Sequence, residues 1–373
     1  MQKDLRNFLK NPFRLGLFRF TLAISVVVAH SASIAGANIA DAVVAVQSFY
    51  IISGFLMTLI LTQKYHSYNS FFKNRVLRLF PVYYCVLLFA IIISVISYYT
   101  LNNGMYLQSW ISNIRYLNIT TIFILIFTNI AIIGQDVLMF LGINPQGTLF
   151  FTTNFYDVNL PAFTFLFIPQ AWTLGVELIF YLIAPFLVKL KTKYLIILFG
   201  LSLALRILFY SKLGLYNDPW NYRFFPFELI FFIAGIISFR FYLKLKELNI
   251  DFKYLNKFAF LLFIFVILFN FIPVNFYIKM IVVYCMVCFA LPSLFNQSNQ
   301  SNLDKKIGNY SYAIYIVHNL VISILIALSI NIELDLFLFV LLSITLSVIF
   351  AVFLFRYIEK PVNKIRNKIV ENQ

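Results

Sequence analysis

The stretch that decides the fold is LGLFRFTLAISVVVAHSASI, residues 15–34. Twenty residues at about 1.5 Å each are long enough to cross the hydrocarbon core of a bilayer. The run is almost wholly apolar, yet it holds Arg19 and His30. Ionisable side chains inside a membrane are costly and are read as functional by default. Eleven residues separate the two. At 100° per residue they fall within about 20° of one helical face, about 16 Å apart along the axis. One stripe of the first helix thus carries a fixed cation toward one end. Toward the other it carries a group that exchanges a proton near neutral pH.

The rest of the chain has the same character. Apolar residues make up 62% of the 373, charged residues 12%, and the mean hydropathy is +0.87, which excludes a soluble globular domain. Apolar stretches of spanning length fall near 15–34, 42–62, 80–99, 120–140, 172–189, 193–210, 224–243, 257–274, 277–295, 310–330 and 334–355. No linker marks a second domain. The expectation is a single all-helical transmembrane domain over 1–373, with short tails at 1–14 and 357–373.

A net charge of +15 would suit nucleic acid, but the cations sit in alternate short loops. They are Lys3, Arg6, Lys10 and Arg14; Lys64, Lys73, Arg75 and Arg78; Lys189, Lys191 and Lys193; Arg240, Lys244, Lys246, Lys253 and Lys257; Lys305 and Lys306; and Lys360, Lys364, Arg366 and Lys368. The stretch 141–171 has none. That is the positive-inside pattern, with both termini cytoplasmic and no nucleic-acid partner. Termini on one side require an even number of spans. The weakest of the eleven candidates is 120–140, which holds Asn129, Gln135 and Asp136. Read as re-entrant or interfacial and buried against protein, it leaves ten spans and puts Pro145 on the outer face. Ala35-Gly36-Ala37 offers a signal-peptide cleavage site, but the polar residues of the preceding run argue against cleavage. Cys85, Cys285 and Cys288 read as small buried hydrophobes, and no cluster completes a metal set.

Further polar groups interrupt the apolar segments. A carboxylate at Glu177, in Trp172-Thr-Leu-Gly-Val-Glu177-Leu-Ile-Phe-Tyr181, needs a partner. On a span entering from outside it lies at about the depth of His30. It would orient His30, stabilise an imidazolium or bind an acceptor; the competing reading pairs it with Arg206. Trp172 also fits an interfacial anchor. Arg75 and Arg78 lie three apart on one helical face, and two guanidiniums there suit phosphate groups. With Arg19 they converge on an anionic cytosolic ligand. Ser53-Gly54 serves close helix packing or lines a channel. His318 is a second intramembrane imidazole, and Glu359 reads as a cytoplasmic surface group. No phosphate-binding glycine loop appears.

In this order the pieces resemble the membrane-bound acyltransferase family 3, the O-acyltransferases of surface glycans, from about Arg14 to Pro361. The resemblance is carried by Arg19 with His30; Ser53-Gly54-Phe55 after an aromatic pair; Arg75 and Arg78 before Pro81; Trp172 to Tyr181 with Glu177; Ser311-Tyr312 with Tyr315 and His318; and Glu359 with Pro361. Many members show an aspartate where this chain has Gln47, so that carboxylate's role does not transfer. The resemblance implies an acyl-CoA co-substrate, usually acetyl-CoA, with no tightly bound cofactor. The implied acceptor is a glycan or lipid-linked sugar, as in lipopolysaccharide or capsule modification. The esterase-like domain fused to some members is not expected here, so the chain would complete transfer alone or pass its acyl group to a separate periplasmic partner.

The expectation is therefore an acetyl-CoA-dependent O-acetyltransferase of a bacterial cytoplasmic (inner) membrane. His30 and Glu177 are its catalytic candidates. Arg19, Arg75 and Arg78 would bind acyl-CoA, and Ser53, Trp172, Tyr181 and His318 would line the channel or acceptor site. A glycolipid transporter or flippase, with no acyl transfer, is the alternative.

Overall fold

The computed structural model describes residues 14–371 except 35, 38–39, 65–66, 299–300 and 330–334, and leaves the side chains of 253, 254, 329 and 370 undescribed. Lys3, Arg6, Lys10 and Ala35 of the candidate cleavage site lie outside the described residues. The long helices are α1 (Leu15–Ile34), α2 (Ala42–Gln63), α3 (Tyr68–Leu101), α4 (Ile119–Ala131), α5 (Trp172–Leu187), α6 (Thr192–Leu213), α7 (Phe225–Glu247), α8 (Lys253–Ile267), α9 (Phe276–Ser298), α10 (Asn302–Ser329), α11 (Leu336–Leu354) and α12 (Lys360–Glu371). A π-helical turn, Phe355–Glu359, joins the last two. The described β-structure is one small hairpin, β1 (Leu141–Ile143) against β2 (Leu149–Phe151).

Among the described residues, nine helices are long and apolar enough to cross a membrane. The fold is the expected polytopic all-helical one of about ten spans, the span expected near 257–274 falling on the shorter apolar helix α8. Helix α8 has 15 residues, about 22 Å, before a 3₁₀ turn at Phe269–Phe271. Helix α4, in the weak segment 120–140, is shorter still at 13 residues. It ends where Ile132 takes a left-handed φ of 65°, and the chain turns back as a loop. The polar residues that mark this segment hold the turn. Asn129 Nδ2 donates to the Phe165 carbonyl at 3.0 Å and its Oδ1 accepts from Phe167 N–H at 3.0 Å. Gln135 Nε2 donates to Tyr83 Oη at 2.9 Å and to the Thr128 carbonyl at 3.1 Å. Asn129, Gln135 and Asp136 are all buried, as polar backbone near hydrocarbon requires.

Two close crossings set the bundle's centre. A Cβ on Gly235 would stand 2.0 Å from the Ile51 carbonyl oxygen, and one on Gly54 2.1 Å from that of Phe232. Helices α2 and α7 therefore touch backbone to backbone, as small residues permit. Gly16 and Gly308 do the same for α1 and α10. Asp304 then caps the start of α1 from a distant helix, its two oxygens accepting from Gly16 N–H and Leu17 N–H at 2.8 Å each. These N–H groups have no intrahelical partner, so the carboxylate both satisfies them and fixes α1 against α10.

Helix α3 begins three turns before the apolar stretch at 80–99, capped by Ser67. Arg75 and Arg78 ride on that polar extension. The cysteine expectation holds less well. Cys285 is exposed on the outside of the bundle, while Cys85 and Cys288 are half-buried. A weakly polar thiol is tolerated on an apolar outer face as readily as inside.

Candidate active site

Three helical stripes enclose two cavities. Helix α1 contributes Arg19 to one and His30 to the other. Helix α2 turns Val46, Phe49, Tyr50, Ser53, Leu56, Met57 and Ile60 inward, the three- and four-residue spacing of one helical face. Helix α10 contributes Ser311 and Tyr312 at one level, Tyr315 at the next, and Asn319 beyond it.

The first cavity, of about 230 Å³, is lined by Arg19, Arg75, Arg78 and Arg366 against one carboxylate, Glu177. Ser53 Oγ donates to Glu177 Oε1 at 2.7 Å, and Tyr181 Oη donates to the same oxygen at 2.5 Å. Two hydroxyls on one oxygen fix the carboxylate's orientation. Arg75 donates to Asn74 Oδ1 at 2.8 Å. Glu359, expected at the surface, is instead buried, electrostatically facing Arg78, Arg19 and Arg366.

The second cavity, also about 230 Å³, holds His30, Gln170, Trp172, Asp218, Tyr222, Arg223 and Asn319. His30 is exposed to this space. His318 packs beside it, ring centroids 5.1 Å apart, and is fully buried. Its Nδ1 lies 2.6 Å from the Tyr315 carbonyl oxygen, so Nδ1 carries the proton and Nε2 is left as an acceptor. Arg223 grips Asp218 through Nε at 2.5 Å and a terminal nitrogen at 2.9 Å, and its guanidinium lies 4.5 Å from the ring centroids of Trp172 and Tyr222. Burial would favour loss of its charge, but Tyr222 and Asp218 outweigh burial and raise its pKa above the ordinary arginine value.

Val46 and Tyr315 line both cavities, so the two meet end to end at one wall. That wall is held by hydrogen bonds from α10 to the start of α5 and to the 3₁₀ turn Pro169–Ala171 before it. Thr173 Oγ1 donates to Tyr315 Oη at 2.9 Å, Tyr315 Oη donates to the Gln170 carbonyl at 3.1 Å, and Asn319 Nδ2 donates to Gln170 Oε1 at 2.9 Å.

The structure thus gathers Arg19, Arg75, Arg78, Ser53, Glu177 and Tyr181 in one cavity, and His30 and Trp172 in the other with His318 packed against His30. One expected juxtaposition is corrected. Glu177 is not paired with His30 but is engaged by Ser53 and Tyr181 among the arginines, because its side chain leaves α5 on the face turned to α2. It does not pair with Arg206 either. Arg206 binds Glu228 at 2.6 Å. Gln47 Nε2 donates to both oxygens of that carboxylate, at 3.1 and 3.0 Å, and Tyr284 donates to Gln47 Oε1. An aspartate at 47 would set two carboxylates side by side; the amide supplies the donor this site needs. Sequence reasoning missed Asp218, Tyr222 and Arg223. Their signal was a lone acid and base flanking Pro219-Trp220 in an outer loop otherwise poor in cations. It also gave Arg366 no role beyond the loop charge.

A cationic cavity abutting a histidine cavity within a polytopic helical bundle defines the class: an integral membrane protein with a polar site among its helices. The chain matches the family described as acyltransferase domain over residues 14–356, and belongs to membrane-bound acyltransferase family 3. No curated protein and no solved structure matches it.

Proposed function

We propose that this membrane acyltransferase moves an acetyl group from cytoplasmic acetyl-CoA to a hydroxyl of a cell-surface polysaccharide or its lipid-linked precursor, in a bacterial cytoplasmic membrane with both termini inside. The observation that carries this reading is the pair of cavities meeting at Val46 and Tyr315. Arg19, Arg75 and Arg78 offer guanidiniums to phosphate groups. The slender acyl-pantetheine arm then runs along α1 toward His30, about 16 Å further on, so the charged nucleotide never enters hydrocarbon.

His30 acts as general base. Its neutral imidazole takes the proton of the acceptor hydroxyl, the hydroxyl oxygen attacks the thioester carbonyl, and the coenzyme A thiolate leaves and is protonated. Trp172 and Tyr222 offer rings on which a sugar face stacks, and Gln170, Asp218 and Asn319 offer polar partners to its hydroxyls. Glu177, held by Ser53 and Tyr181, acts on the donor side as a counter-charge that keeps the arginines positioned.

The test compares surface glycans by NMR or mass spectrometry in cells with wild-type protein, H30A, or R75A/R78A. His30→Ala inserts normally and abolishes the added acetyl mass, about a thousandfold loss or more. R75A/R78A raises the KM for acetyl-CoA by about tenfold or more. Normal acetylation by His30→Ala removes the central role from this residue.

A further inference from the structure

The family match ends at residue 356, before helix α12 begins at Lys360. Lys360, Lys364 and Lys368 of α12 are exposed, as expected for a cytoplasmic surface helix. Arg366 is different. It is half-buried and lines the arginine cavity.

Asn74, buried one residue before Arg75, turns it inward. Asn74 Oδ1 accepts from Arg366 Nε at 3.1 Å and from its Nη2 at 3.0 Å, and also from Arg75 at 2.8 Å. Asn74 Nδ2 donates back to the Arg366 carbonyl at 3.2 Å. A further Arg366 nitrogen donates to Asn363 Oδ1 at 2.5 Å. Asn74 thus draws two guanidiniums together through one neutral amide. Four guanidiniums then line the cavity with Glu177, and Glu359 stands against Arg78, Arg19 and Arg366. The same wall carries the hydroxyls of Ser53, Thr173 and Ser311. Guanidiniums gathered on one cavity wall suit a ligand with several phosphate oxygens.

We propose that Arg366 binds the phosphates of acyl-CoA and that Asn74 is the positioning residue that aims Arg366 and Arg75 at them. Helix α12 thereby completes the donor site from beyond the part of the chain that matches the family. The proposal rests on the acyl-CoA reading above and adds a residue, a helix and an orienting amide to it.

The test uses the full chain in lipid nanodiscs, measuring acetyl transfer and equilibrium binding of coenzyme A. R366Q raises the KM for acetyl-CoA and the Kd for coenzyme A about tenfold, the factor produced by losing one charge-assisted contact, with kcat within twofold. R366K keeps the charge but not the two-pronged bond to Asn74 and falls between. N74D keeps the acceptor oxygen, adds a negative charge and weakens coenzyme A binding at an unchanged melting temperature. A purely structural clasp would not give that result. With S-acetylpantetheine, which has no phosphates, R366Q behaves as wild type. K368Q, on the exposed face of the same helix, changes nothing. Equal coenzyme A binding by R366Q and by a wild type that uses acetyl-CoA overturns the role of Arg366 and leaves the donor reading standing. A wild type that neither binds coenzyme A nor transfers from an acyl-CoA overturns both.

Discussion

Asp136 shows what a single buried group does here. It stands in the loop after α4 with its Oδ1 unpartnered among the described residues, against the backbone of Gly175, where a Cβ would lie 2.9 Å from that oxygen. Burial pushes its carboxyl up to about 6, against an ordinary 3.8, and the backbone N–H groups of Asp136 and Val137 only partly offset this. The folded protein therefore keeps a proton that the unfolded chain releases between about pH 4 and 6. The associated stability is complete below the unfolded value and is lost as pH rises through the folded one. Asp136→Asn removes that loss, so the variant is more stable above pH 7 by up to about 3 kcal/mol and equal to wild type near pH 4. Thermal unfolding of both proteins in detergent at pH 4 and pH 8 checks the sign. At this scale Arg19, His30 and Glu177 were legible in the sequence, because a charge in an apolar run stands out without any knowledge of neighbours. The partner of Glu177 was not legible. Depth along a span follows from counting, but which neighbour a carboxylate meets depends on how α5 is rotated against α2.

Among the elements, the crossing of α2 and α7 sets the most. Gly54 and Gly235 let the backbones touch, and α2 carries the side chains that line the arginine cavity. Gly235→Ala pushes a methyl group into the Ile51 carbonyl and costs about 1–3 kcal/mol or more, the range for overpacking a fitted contact. Gly200, in α6, has nothing within 4 Å of where a Cβ would sit. Gly200→Ala is therefore expected to stabilise by about 0.5–1 kcal/mol. Melting temperatures of the two variants should move in opposite directions, and a shared direction would refute the crossing's role. Helix existence followed from apolar length, and the weakness of 120–140 followed from its three polar residues. The shortness of α8 did not. Its apolar run continues past Ile267, yet the last residues close a 3₁₀ turn at Phe269–Phe271 rather than another helical turn.

For the whole molecule, the two cavities matter only if something passes between them. Val46 stands at their junction. Val46→Trp fills it, and we expect kcat to fall about tenfold or more while the Kd for coenzyme A holds, since the nucleotide end binds on the far side. An equal loss of both would mean the junction is not a passage. The same orientation puts the hairpin turn outside, so a reporter fused near Pro145, which is exposed between β1 and β2, should report the outer face. A cytoplasmic signal there would reverse every assignment of inside and outside made above.

Taken alone, the sequence determined that this chain is a helical membrane protein, that its cations alternate between loops, and that Arg19 and His30 share one stripe. Hydropathy, charge and the 100° step are local properties, and local properties survive without coordinates. The tertiary structure decided that Glu177 joins the arginines, that Asp218 and Arg223 wall the histidine cavity, and that Arg366 returns from the last helix to meet Asn74, 292 residues away. Contacts of that kind depend on how rigid helices rotate and cross, which is set by the packing of all of them together.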